Sequence, residues 1–245
     1  MKTARGHKVG FFDSGVGGLS VLRAFQALCP EVETEYLADS AHAPYGNRPV
    51  EEIARLSEAN AETLIARGCD VVVVACNTAT AAAIDLLRRK HPEIPFVGME
   101  PAVKPAALRS KSGVVGVLAT AGTFKGRLYN ETKGRYAGGV KVIAAVADEF
   151  VAEAERIKGA PYAEWTEADR ARIIGIVRAR VEPLLDAGAD VIVLGCTHFP
   201  LLIGAIEEVC AGRAEVIDPS PAVARQLPRE PHLRGGYSER GERMR

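Results

Sequence analysis

The sequence predicts an α/β protein of two similar halves, each built around a parallel sheet. Three observations carry this reading. Short apolar, β-branched runs alternate with helix-patterned stretches, the order from which parallel sheets are made. One stretch occurs twice: Asp70–Ala79 (DVVVVACNTA) recurs 120 positions later as Asp190–Phe199 (DVIVLGCTHF). Each half also opens on a strand pattern that runs through a glycine-containing turn into a helix, first at Val9–Phe25 and again from Gly113.

The elements follow in order. Val9–Phe12 is a short buried strand, and Leu19–Phe25 has helical spacing. Between them lies Asp13-Ser14-Gly15-Val16-Gly17-Gly18, where glycines at a strand-to-helix turn could let backbone N–H groups approach an anion. A dinucleotide loop would require glycine at position 20, which is Ser20, and no lysine follows as in a P-loop. Asp13 would repel a phosphate; it suits an ammonium group or the orientation of a base. Glu33–Ala38 is the second strand, and Pro44-Tyr45-Gly46 reads first as a turn, with backbone N–H groups at Tyr45 and Gly46 as a carboxylate site in the functional alternative. Val50–Arg67 is an acidic-start amphipathic helix. The first cysteine strand and its helix to about Lys90 follow, then the strand Pro95–Gly98. Met99–Pro105 is the crossover. The second half reads as strand Gly113–Ala119, turn Thr120–Thr123, helix near Lys125–Tyr136, strand Val140–Val146, helix Asp148–Lys158 and helix Glu167–Ala187. The second cysteine strand and its helix, the short strand Glu215–Ile217 and a last helix opening at Asp218 complete it. Residues 228–245 are polar and without periodicity, which predicts a mobile tail.

Composition narrows the function. With 31 basic and 31 acidic residues the net charge is zero, so the electrostatic footprint of a dedicated nucleic-acid binder is missing. No apolar run approaches the roughly 18 residues of a membrane span, and the basic N-terminus leads only into a strand-length apolar segment, unlike a signal peptide. Five cysteines without a C-x-x-C pair fit neither a disulfide framework nor a zinc site, and a reducing cytoplasm suits them.

Cys29 and Cys210 lie within or at the end of helix patterns and Cys69 in a helix-to-strand turn; all three read as buried structural thiols. Cys76 and Cys196 differ in sitting where a strand turns into a helix, the place where ligands bind in open α/β sheets. A helix N-terminus is expected to lower a thiol pKa from about 8.5 toward neutrality. A hydrolase would use Cys196 with His198 and leave Cys76 without a role, and a redox pair lacks the usual spacing. A two-base proton transfer uses both thiols directly: one thiolate takes a proton from one face of a carbon and the other thiol delivers one to the opposite face. Asp13 would assist Cys76, and His198 would serve beside Cys196.

Six segments, Phe12–Leu22, Asp39–Gly46, Val74–Ala81, Gly116–Thr123, Leu194–Leu202 and Ile217–Ser220, together resemble the glutamate racemases, a cofactor-independent branch of the aspartate/glutamate racemase superfamily. The resemblance implies two pseudo-symmetric, doubly wound parallel-sheet domains facing across a central cleft. The first would hold residues 1–98 plus about 207–227, the second 99–206. It implies interconversion of L- and D-glutamate without metal, pyridoxal phosphate or nucleotide, supplying D-glutamate for peptidoglycan. It also implies Cys76 and Cys196 as the acid/base pair, Asp13 and His198 as helpers, and Asp13, Ser14, Tyr45, Gly46, Asn77, Thr78, Thr197 and His198 as substrate-binding residues.

The segment after Ile143 departs from the family pattern. Glu155 aligns best with the family's glutamate near the second thiol, and Asp148, Glu149 and Glu153 compete for that place. Aspartate is an alternative substrate, because one methylene is worth only about 1–3 kcal/mol. A binding protein that retains the scaffold is the alternative of a different class. A homodimer is left open.

Overall fold

In the computed structural model, residues 7–126, 129–131, 134, 139–157 and 160–227 are described. The tail 228–245 and much of the helix expected to reach Tyr136 lie outside them. Strands β1 (Lys8–Asp13), β2 (Glu33–Ala38), β3 (Val71–Val74) and β4 (Phe96–Gly98) form one parallel sheet in the order β2-β1-β3-β4. Strands β5 (Val114–Ala119), β6 (Lys141–Val146), β7 (Val191–Leu194) and β8 (Glu215–Ile217) form a second, in the order β6-β5-β7-β8. The two orders match strand for strand. The register repeats as well: Val9 pairs with Val71 across β1 and β3, and Val115 with Val191 across β5 and β7.

The cysteine strands are apolar throughout because both faces of each sheet are covered. Val71 and Val73 point into a core with Phe11 and Phe25 under helix α1 (Leu19–Leu28). Val72 and Val74 point the other way, with Phe12, Leu64 and Leu87, beneath helices α2 (Val50–Ala66) and α3 (Asn77–Lys90). In the second sheet Val191 and Val193 join Val103 and Ala106 of helix α4 (Val103–Arg109). Ile192 and Leu194 join Phe150, Ile173, Val177 and Ile206, carried by helices α6 (Glu149–Arg156), α7 (Glu167–Asp186) and α8 (Ile203–Cys210). Helix α5 (Ala121–Lys125) is a single short turn after β5, capped by the Thr120 side chain. Each fully buried valine contributes roughly 1.5–3 kcal/mol, so a four-residue strand is held by its two faces rather than by its length.

The expected return to the first unit from about residue 207 is corrected. Helix α8 runs to Cys210 and packs in the core of the second sheet, and β8 pairs with β7, Glu215 opposite Val191. The physical reason is the connection. Ala211 and Gly212 turn the chain with φ 47° and 75°, and β8 starts only three residues after Gly212, so the strand takes the adjacent parallel position. Among the described residues from 207 onward, it is the last helix, α9 (Ser220–Ala224), and Leu227 after it that reach the first sheet, where Val223, Ala224 and Leu227 join Val21 and Phe25.

Candidate active site

In the order β2-β1-β3-β4 the chain winds outward in opposite directions from β1 and β3, and the crevice at the carboxyl ends of that pair is the natural ligand position. Asp13 is the last residue of β1. Cys76 follows β3 and caps α3, its Sγ accepting the Ala79 N–H at 3.5 Å. The thiol is 5% exposed and donates to Ser14 Oγ at 3.8 Å.

Cys196 occupies the equivalent place after β7, also buried at 7%. The chain after it differs from expectation. His198 enters a 3-10 turn at Phe199–Leu202, with Pro200 inside it, and the α-helix begins only at Ile203. The turn brings His198 Nδ1 to 3.9 Å from Cys196 Sγ and aims the other ring nitrogen at Glu155, Nε2 to Oε1 2.6 Å. Among the four competing carboxylates, Glu155 is therefore the one that meets His198. Glu153 instead pairs with Arg156 and Arg172, Glu149 with Arg180, and Asp148 accepts the Ala121 N–H.

The glycine loop connects the halves. Asp13 Oδ2 accepts the N–H groups of Gly15 at 3.2 Å and Gly18 at 3.1 Å, while Oδ1 accepts the Thr197 hydroxyl at 3.3 Å. The N–H groups that would cradle an external anion are thus turned onto the protein's own carboxylate. A third, on Val16, donates to Glu155 Oε1 at 2.9 Å. A Cβ at Gly17 would lie 2.5 Å from His198 Nδ1, so this loop can seat against the second half only without a side chain there.

Protonation differs across the site. Burial pushes the Cys76 thiol well above its ordinary range and the Asp13 charge pushes it further, which corrects the expectation that the helix N-terminus would bring it toward neutrality. Burial also raises Asp13, opposed by the nearby His198 charge and the loop N–H groups. For His198 burial acts downward, but the hydrogen bonds to Cys196 and Glu155 and the Asp13 charge prevail and lift it to about 10. The His198 contact in turn lowers Glu155. The site holds a protonated Cys76 on one side and an imidazolium beside Cys196 on the other.

The remaining expected residues divide. Thr78 Oγ1 meets Thr120 Oγ1 at 2.9 Å, and Thr120 meets Thr123 at 3.1 Å, a hydroxyl chain joining the two halves. Sequence reading missed Thr120 and Thr123; the signal was available, since Thr120 follows β5 where Ser14 follows Asp13 at the end of β1. The Asn77 side chain is buried, and neither its oxygen nor its nitrogen has a partner among the described residues. Tyr45 is not brought to the thiols by its hydroxyl, which donates to Asp39 at 2.5 Å and accepts from Asn60 at 3.1 Å. That network fixes the turn and leaves Gly46 at the seam, where a Cβ would lie 3.2 Å from Thr120 and from Asp148 Oδ1. Cys29, Cys69 and Cys210 are buried in the cores. Among the described residues no group of three or more His, Cys, Asp or Glu side chains is arranged to hold a metal ion, and no helix is long and apolar enough to cross a membrane.

Two matched α/β sheets with a thiol at the same strand end of each, joined across the seam by the Asp13 and Glu155 carboxylates, define a class of paired-thiol protein. The chain belongs to the Asp/Glu/hydantoin racemase family, whose model matches residues 18–227. It is 48% identical over 219 residues to the glutamate racemase of Roseiflexus sp. strain RS-1, covering 89% of this chain and 77% of the relative. It is 46% identical to that of Methylococcus capsulatus, covering 93% and 80%. Among solved structures it resembles Escherichia coli glutamate racemase in complex with L-glutamate and the activator UDP-MurNAc-Ala (TM-score 0.80, 34% identity, 91% of this chain and 81% of that one). It also resembles a glutamate racemase isoform of Bacillus anthracis (TM-score 0.81, 28% identity, 96% and 85%).

Proposed function

We propose that this protein interconverts L- and D-glutamate by a two-base transfer of the α-proton. The observation that carries the mechanism is the equivalent position of Cys76 and Cys196 on two sheets of the same strand order, each buried and each with its own polar partners. Glutamate as the substrate rests on the curated relatives named above.

One cysteine, as thiolate, removes the α-proton from its face of the substrate. The other, as thiol, donates its proton to the opposite face, and the enantiomer leaves with the two cysteines in exchanged protonation states. Cys76, held as a thiol by burial and by Asp13, is the ready donor in the state described. The His198 imidazolium, 3.9 Å from Cys196 Sγ, balances negative charge whenever Cys196 carries it. Ser14, Asn77, Thr78, Thr197 and the backbone at Tyr45 and Gly46 form the cradle for the substrate's polar groups. Oriented donors beside the α-carboxylate stabilise the charge that develops when the neighbouring carbon loses its proton. The remaining part of the reading is a cytoplasmic enzyme that supplies D-glutamate for peptidoglycan.

The test is α-proton exchange by NMR in D2O with no added cofactor, using L-glutamate, D-glutamate and aspartate separately. Exchange with accumulation of the opposite glutamate enantiomer, and little with aspartate, supports the proposal. Exchange with aspartate alone keeps the mechanism and changes the substrate. Silence with both, from folded and reduced protein, overturns it.

A further inference from the structure

A buried cradle side chain and a buried tyrosine that the mechanism does not use line one small space. Asn77, at the start of α3, is 3% exposed; Tyr129, from the second half, is 4% exposed. Neither atom of the Asn77 amide group nor the Tyr129 hydroxyl has a hydrogen-bond partner among the described residues. Buried polar groups are nearly always paired, and an unpaired one carries its full desolvation cost. Here both unpaired side chains line the same small pocket of about 10 Å³, together with Ala81, Thr123 and the crossover residues Met99, Glu100 and Pro101. That volume suits one water, which needs two to four polar partners. A carboxamide and a phenol supply them, since each can donate and accept. The Tyr129 ring is held edge-on against Phe124 at 5.0 Å and buried with Val115, Val117 and Val193, so its hydroxyl has little freedom to turn elsewhere.

We propose that Tyr129 is a positioning residue for Asn77: through one water in this cavity its hydroxyl fixes the orientation of the Asn77 amide, and so ties the start of α3 in the first half to the second half beneath the crossover. The inference rests on the reading of Asn77 as a substrate-cradle residue. An amide free to rotate presents its oxygen or its nitrogen to the cleft with similar ease, whereas an amide held by the water presents one. The hydroxyl therefore acts on substrate binding through Asn77 and has no contact with the reacting atoms.

The experiment is a double-mutant cycle with Tyr129→Phe, Asn77→Ala and the double variant, read as KM and kcat for glutamate, together with the side-chain amide signals of Asn77 in nitrogen-15 NMR spectra. Phenylalanine preserves the packing and removes only the hydroxyl. Coupled neighbours depart from additivity by a factor of at least about two. Tyr129→Phe is expected to raise KM about five-fold with kcat within about two-fold, and to add nothing once Asn77 is alanine. The Asn77 amide signals are expected to shift in Tyr129→Phe. Equal effects of Tyr129→Phe in both backgrounds, or unchanged amide signals, overturn the proposal and leave Tyr129 a packing residue. An Asn77→Ala variant with wild-type KM overturns it as well. If the unaltered protein turns over no glutamate, the functional reading has failed separately, and the amide signals alone decide the role of Tyr129.

Discussion

His198 Nε2 lies 2.6 Å from Glu155 Oε1, and that same carboxylate oxygen accepts the Val16 N–H at 2.9 Å. One oxygen thus orients the imidazole beside the second thiol and fastens the glycine loop of the first half across the seam.

Glu155→Gln keeps the shape of this contact and removes its charge. His198 is raised to about 10 in the folded protein, against about 6.5 for a free histidine. Its stabilisation is fully present below about pH 6.5 and is lost as pH rises through about 10. The lowered Glu155 works at the other end, its share being lost as pH falls through its folded value. The melting temperature of the unaltered protein is expected to fall more steeply between about pH 6.5 and 10 than that of Glu155→Gln. Parallel curves would remove Glu155 as the partner that holds the imidazolium.

Cys76→Ala and Cys196→Ala each delete one of two proton-transfer groups. Loss of a general acid or base typically costs about 10²–10⁴ in rate, and each variant is expected to lose at least about 10³-fold in racemisation followed by circular dichroism. Full activity in either variant ends the two-base mechanism.

Asp13→Asn removes a negative charge that raises the Cys76 thiol. The pH at which the Cys76 thiolate appears, followed by ultraviolet absorbance against a Cys76→Ala control, is expected to move down. Racemisation is expected to fall about 10²-fold, as for loss of a group that assists proton transfer. An unmoved thiol titration would show that Asp13 acts on the glycine loop alone.

Gly17→Ala places a methyl group 2.5 Å from His198 Nδ1 and 2.8 Å from the His198 backbone nitrogen. Overpacking of this kind costs about 1–3 kcal/mol. Denaturant unfolding is expected to register that loss together with a drop in kcat, because the loop or the imidazole must move. Wild-type stability and rate would mean that the seam opens without penalty.

Much of the site was legible along the chain. The β-branched runs before Cys76 and Cys196 announce strands buried on both faces, and their recurrence announces two equivalent sites. The glycines of 15–18 were readable as a close approach, but what approaches them was not. A glycine loop reads alike whether its N–H groups face a ligand or, as here, Asp13 and Glu155. Glu155 was singled out over Asp148, Glu149 and Glu153 only by the family resemblance, because no local pattern chooses among them. All four share one short stretch of chain, and only the packing of α6 turns Glu155 toward His198 while Arg172 draws Glu153 away.

By itself the sequence determined the local states: where the strands end, where glycine permits contact, and that two thiols stand at matching ends. These follow from side-chain period, turn chemistry and burial, which act over a few residues. The tertiary structure alone decided that β8 stays with the second sheet, that Thr78 meets Thr120, and that the Cys76 thiol is pushed up rather than down. Those outcomes depend on charge, desolvation and contact between groups far apart in the chain, and no local pattern encodes them.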